Sequence, residues 1–139
     1  MSPSRVLPEP DATSAPFWDA AAEHVLTLAR CSACEALTLP PDVVCPHCGS
    51  TTPDFRFVPV DGRGTLRSWT VVRQAFLPGL EAELPFVLVD VALDDHPDVR
   101  LIGRLTDGVD AVLRLGAAVQ VAFDDIAPGV AVPAFELVP

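Results

Sequence analysis

Lysine and tyrosine are missing altogether from this chain, and methionine occurs once, at residue 1. All nine basic residues are therefore arginine, set against nineteen acidic residues for a formal net charge of −10. That balance disfavours sequence-independent binding to a polyanion, which depends on Lys and Arg displacing phosphate counterions. Apolar runs long enough to cross a membrane, about 20 residues, are also lacking. The stretch Leu84–Val89 is cut off by Glu83 and Asp90. The opening residues, Met1–Asp11, are proline-rich and acidic, without the apolar centre of a signal peptide. The expected setting is the cytoplasm, with no membrane.

What is present points to a folded β-rich domain. Half of the 139 residues are hydrophobic, which excludes disorder for most of the chain, and fifteen prolines make it rich in turns. Residues 1–13 read as a flexible lead. Ser14 is placed to cap a short helix with Pro16 in its first turn, where a missing N–H does no harm. Phe17, Trp18, Ala21 and Val25 then share one helical stripe, which gives way near His24. From residue 61 the pattern is of strands, expected at 64–73, 85–93, 99–105, 118–124 and 132–138, with at most one helical turn over 110–115. Five strands with no long helix imply a small closed or half-closed barrel.

Between helix and barrel lie all four cysteines, as Cys31-x2-Cys34 and Cys45-x2-Cys48 with ten residues between the pairs. Two such turns aim four thiolates at one point, the ligand set of a closed structural zinc site. A lone iron in the same cage is the alternative. A redox dithiol would need one C-x-x-C beside a βαβ unit, and none is present. Gly49 suits the positive φ expected just after the second pair. Glu35 holds the equivalent place after the first, where a left-handed backbone costs about 1 kcal/mol. Zinc on four thiolates adds −2, taking the chain to about −12. His24, His47 and His96 read as surface residues.

The order of these motifs resembles a known family. Phe17-Trp18 precedes Leu28-Ala29-Arg30-Cys31-Ser32-Ala33-Cys34; Pro40-Pro41 precedes Cys45-Pro46-His47-Cys48-Gly49. Gly62-Arg63-Gly64-Thr65, Ser68-Trp69-Thr70-Val71-Val72, Pro85-Phe86-Val87 and Leu115-Gly116 follow. Together they resemble the acyl-CoA-associated family in which a rubredoxin-like zinc ribbon is joined to an OB-fold, long catalogued as a domain of unknown function. The resemblance covers about residues 14–138. It implies a mainly β fold: helix and zinc ribbon over 14–60, then a five-stranded OB-fold barrel over 61–139. It also implies a non-catalytic accessory subunit in a heteromeric complex. That subunit docks on a thiolase-like, aldolase or hot-dog hydratase enzyme of lipid metabolism acting on acyl-CoA thioesters, and helps form the pantetheine passage. Glu35 is the main departure from the family pattern, and it leaves the four ligands in place.

Alternation assigns Leu66, Ser68, Thr70 and Val72 to one face of the first strand and Arg67, Trp69, Val71 and Arg73 to the other. If the strands follow OB order, Trp69, Phe86, Leu88 and Ile102 form an outward apolar strip fringed by Arg. That strip either packs on the protein's own helix or ribbon, or docks a partner together with Phe17 and Trp18. A third reading is a single-stranded nucleic-acid face with Trp69 stacking on bases, which the acidity disfavours. In the loop 74–84, Phe76 and Leu77 either cap the barrel or border an acyl-CoA channel shared with the partner. In the second case Arg63, Arg67 and Arg73 meet the CoA phosphates. No triad, phosphate loop or open metal site marks an independent catalyst, so no catalytic residue is assigned.

Overall fold

The computed structural model describes residues 5–139. A helix α1 (Ala15–Ala22) leads into the ribbon strands β1 (Thr27–Arg30), β2 (Leu37–Thr38) and β3 (Arg56–Pro59). The barrel strands follow: β4 (Arg63–Val72), β5 (Phe86–Leu93), β6 (Arg100–Leu105), β7 (Ala118–Ala127) and β8 (Val130–Leu137). The mainly β class and the division into helix, ribbon and five-stranded barrel are as the sequence implies. Among the described residues, no helix is long and apolar enough to cross a membrane.

The start of α1 differs from expectation. Ser14 makes no side-chain cap bond onto the helix. Asp11 caps one turn earlier: its Oδ1 accepts the Ser14 N–H at 2.7 Å, and Ser14 Oγ accepts the Asp11 N–H at 3.1 Å. This reciprocal pair satisfies donors that the first turn leaves free. At the other end His24 takes a φ of 62°, which stops the helix where its apolar stripe runs out. His24 is exposed, as expected, but it has partners. Its Nε2 lies 2.8 Å from Asp125 Oδ1 and its ring stacks on Phe123 at 5.2 Å, joining the helix end to β7.

The barrel closes in the order β4-β5-β6-β8-β7. Its neighbours are antiparallel except β6 and β8, which meet in parallel at Arg104↔Ala134 and Leu105↔Phe135. β5 alternates without a break, burying Val87, Val89, Val91 and Leu93. Each contributes about 1.5–3 kcal/mol by leaving water. The three valines fill the barrel with Leu66, Leu105, Val119 and Phe135, whereas Leu93 faces the helix and ribbon. The motif Gly62-Arg63-Gly64 has a steric cause. A Cβ at Gly62 would run into Val121, and one at Gly64 into Val91.

Strict alternation fails in β4. The register with β5 shifts between Leu66 and Ser68, a bulge at Arg67 that exchanges the two faces. Leu66 and Val71 therefore both turn inward. Trp69 pairs with Val89 on that same side and also borders a small pocket with the strip residues Leu88 and Ile102. It stays 40% exposed because β4 pairs with β7 only over Arg63–Thr65 and then continues alone beside β5. The one helical turn allowed for at 110–115 does not form. Ala111 and Leu113, two residues apart, lie against the barrel core as an irregular segment suits them.

A second cluster, Phe17, Leu26, Leu28, Leu93 and Val99, binds helix, ribbon and barrel into one body. Leu101 and Val121 pack against both clusters.

Candidate metal centre and partner face

The two cysteine turns repeat one another bond for bond. In the first, Cys31 Sγ accepts the Ala33 N–H at 3.4 Å and Cys31 O accepts the Glu35 N–H at 2.8 Å, while Cys31 N–H donates to Ala36 O at 3.0 Å. In the second, Cys45 Sγ accepts the His47 N–H at 3.4 Å, Cys45 O the Gly49 N–H at 2.9 Å, and Cys45 N–H donates to Ser50 O at 3.0 Å. Closing each turn this way requires a left-handed residue four positions after the first cysteine. Gly49 supplies it at a φ of 75°, and Glu35 at 65°.

All four Sγ atoms lie within 4.8 Å of one another, with Cys31–Cys48 at 3.8 Å and Cys34–Cys45 at 3.7 Å. A tetrahedron with zinc–sulfur bonds of about 2.3 Å has sulfur–sulfur edges of about 3.8 Å, so the cage fits the ion. Cys31 and Cys45 are buried, and Cys34 and Cys48 face solvent. As free thiols, Cys45 and Cys34 are driven in opposite directions. The N–H groups of Cys48 and His47 stabilise a Cys45 thiolate and bring it down to about 6. At Cys34 the Ala36 N–H also favours the thiolate, but burial and the thiols of Cys48, Cys45 and Cys31 override it and push the group up to about 12. These four cysteines form the metal-binding arrangement of a zinc ribbon.

Four of the six expected interface residues meet at one place. Trp18 from α1, Phe86 and Leu88 from β5 and Ile102 from β6 line a groove of about 390 Å³ with Leu80, Val132 and Pro133. Ile102 is 71% exposed. The other two candidates lie elsewhere. Phe17 is only 7% exposed, with its ring edge-on to Trp18 at 5.0 Å, and so belongs to the core. Trp69 lies outside this groove but next to it, lining a smaller pocket of about 210 Å³ with Leu88 and Ile102. The Arg fringe expected around the strip is supplied in part by Arg104 of β6, in the groove's charged wall. Arg104 holds its guanidinium 4.0 Å from the Phe86 ring centre and donates to Glu83 Oε1 at 2.8 Å. Arg5 joins the same wall. Leu80 was findable as an apolar residue in the loop, whereas Arg5 carried no signal at all.

The residues expected to meet CoA are not gathered together. Arg63 and Arg73 bracket β4, roughly 33 Å apart for ten extended residues, and Arg63 faces Asp61 at 3.7 Å. Arg67 stands on the bulge near Asp90. Only Phe76 and Leu77, 85% and 53% exposed, share the loop that follows Arg73. Beside this region Asp90 is held below the ordinary carboxylate range by its hydrogen bonds from Arg100, with Ser68 Oγ adding to them at 3.3 Å.

Comparison with known proteins extends the geometry. Residues 18–54 match the rubredoxin-like zinc ribbon domain of ChsH2, and residues 57–124 its C-terminal OB-fold domain. A solved structure described as an Ltp2-ChsH2(DUF35) aldolase contains a similar chain, at 29% identity and a TM-score of 0.79, covering 94% of this chain and 98% of that one. A DUF35-family protein of unknown function from Sulfolobus solfataricus shares the fold at 14% identity and a TM-score of 0.60, over 91% of this chain and 86% of its own. A probable enoyl-CoA hydratase alpha subunit from Thermomonospora curvata is 32% identical over 120 residues, which is 86% of this chain. The chain spans 36% of the length of that curated relative.

Proposed function

Because this chain belongs to the ChsH2/DUF35 family of zinc-ribbon and OB-fold proteins, we propose that it is a non-catalytic accessory subunit of an enzyme acting on acyl-CoA thioesters. The observation that carries this reading is the likeness over nearly the whole of both chains to a component of an aldolase structure. The hydratase alpha subunit widens the partner class to aldolase, thiolase-like or hydratase enzymes. The groove of Trp18, Phe86, Leu88 and Ile102 is the docking face: an apolar surface with a charged wall, the composition of a subunit contact.

The metal of the cysteine cage is zinc, which when bound supplies folding free energy and no open coordination site. The chain's own residues then have two tasks. Cys31, Cys34, Cys45 and Cys48 fix the ribbon, and α1, β5 and β6 present the groove. Phe76 and Leu77, standing out from the loop, border the acyl or pantetheine passage formed with the partner.

The test is affinity capture of the tagged protein from its native cells, with mass identification of what arrives in stoichiometric amount. A thiolase-like, aldolase or hydratase subunit is expected, and Ile102→Asp is expected to lose it while leaving the melting temperature unchanged. A chain that comes out alone overturns the reading.

A further inference from the structure

The N-terminal segment crosses the edge of the groove in an unusual way. Pro8 and Pro10 lie in a crevice with Trp18, Asp19 and Gly129–Ala131. The chain then passes Trp18, so that Arg5 reaches the groove wall. There Arg5 NH1 donates to Asp124 Oδ2 of β7 at 2.8 Å, and its Nε stands 3.6 Å from Glu83 Oε2 in the β4–β5 loop. That Oε2 is buried and accepts no hydrogen bond, although Oε1 is bonded to Arg104. The second carboxylate oxygen is thus left for Arg5, which stands beside it.

We propose that residues 5–10 form a displaceable strap on this groove, latched by Arg5 onto Asp124 and Glu83, and that a docking subunit takes its place. The strap stands on the geometry alone. The competition rests on the accessory-subunit reading.

Two observations favour release over permanent attachment, and a third lets the strap return readily. Among the described residues, no backbone hydrogen bond ties residues 5–10 to the barrel. The latch consists of partly exposed ion pairs, each able to shift an equilibrium only about two- to fivefold. Pro8 and Pro10 keep the segment extended when free, so little entropy is lost each time it returns. What the strap leaves uncovered is the outer end of the same apolar surface, where Ile102 stands most exposed. A partner that widened its contact would meet Arg5 next.

Trp18 lines both the crevice and the groove and reports directly on the strap. The chain has two Trp, so Trp69→Phe leaves Trp18 as the sole indole. In that background acrylamide quenching of Trp18 is expected to rise with salt, as the Debye length falls to about 3 Å at 1 M. Adding Arg5→Gln should raise quenching at low salt and remove the salt dependence. Equal quenching with and without Arg5 at every salt concentration overturns the strap. If a subunit is captured as above, Arg5→Gln is expected to tighten its binding by about two- to fivefold for each ion pair lost. Unchanged or weaker binding overturns the competition, whatever the quenching shows. Because the quenching needs no partner, failure to capture one would count against the subunit reading alone.

Discussion

Single side chains set the limits of this fold more than its size suggests. Glu35 holds a left-handed backbone that Gly49 holds without strain in the matching turn. Glu35→Gly is therefore expected to stabilise the zinc-loaded protein by up to about 1 kcal/mol, less the entropy a glycine returns to the unfolded chain. Glu35→Val should destabilise it, and thermal melts of the two variants would check both signs. Asp90 gives a pH dependence. Its folded pKa lies below the ordinary 3.8 of an aspartate, so its contribution is present above that value and is lost as pH falls through the folded one. Denaturant titration of Asp90→Asn against the parent should show a gap at neutral pH that closes below about pH 4. Asp11, lowered by the backbone N–H of Ser14, adds to the parent's acid sensitivity in the same direction.

At the level of elements, the sequence revealed what repeats locally. β5 was legible because Val87, Val89, Val91 and Leu93 keep a period of two with β-branched residues in it. The zinc cage was legible because two C-x2-C turns carry their geometry within a few residues. The bulge at Arg67 was not, since no glycine or proline marks it; it falls just beyond Thr65, the last residue of β4 paired with β7, while the pairing with β5 continues. The groove was half legible: Phe86, Leu88 and Ile102 follow from alternation, but Arg5 reaches it only through the fold. Phe17 could be assigned to a helix stripe from sequence, but its burial depends on the ribbon packed against it. Removing the metal tests the ribbon as an element. Four close thiols without an ion are expected to loosen β1–β3, seen as faster amide exchange there than in β5 after chelation. Exchange in β1–β3 that stays unchanged after verified metal loss would contradict this.

For the molecule as a whole, charge and packing point the same way. A net charge of −10, with only nine basic residues, leaves little for a nucleic-acid surface, and the groove is apolar rather than basic. Leu101 and Val121 touch both hydrophobic clusters, so ribbon and barrel share their interior. The zinc-loaded protein is accordingly expected to melt in one transition by calorimetry, with matching calorimetric and van't Hoff enthalpies. Two resolved transitions would show that the halves are independent.

That shared interior bears on how such proteins can be rebuilt. A chimera made by joining this ribbon to another OB-fold near residue 60 would sever a single core, leaving Leu28 and Phe57 facing a foreign surface in place of Leu93, Val99 and Val121. Exchange of partner specificity between relatives is therefore better sought by grafting the rim of the groove, a handful of outward side chains on β5, β6 and the loop before them, than by swapping halves. The working unit of inheritance here is the whole two-part body, and its freedom to vary lies on its skin.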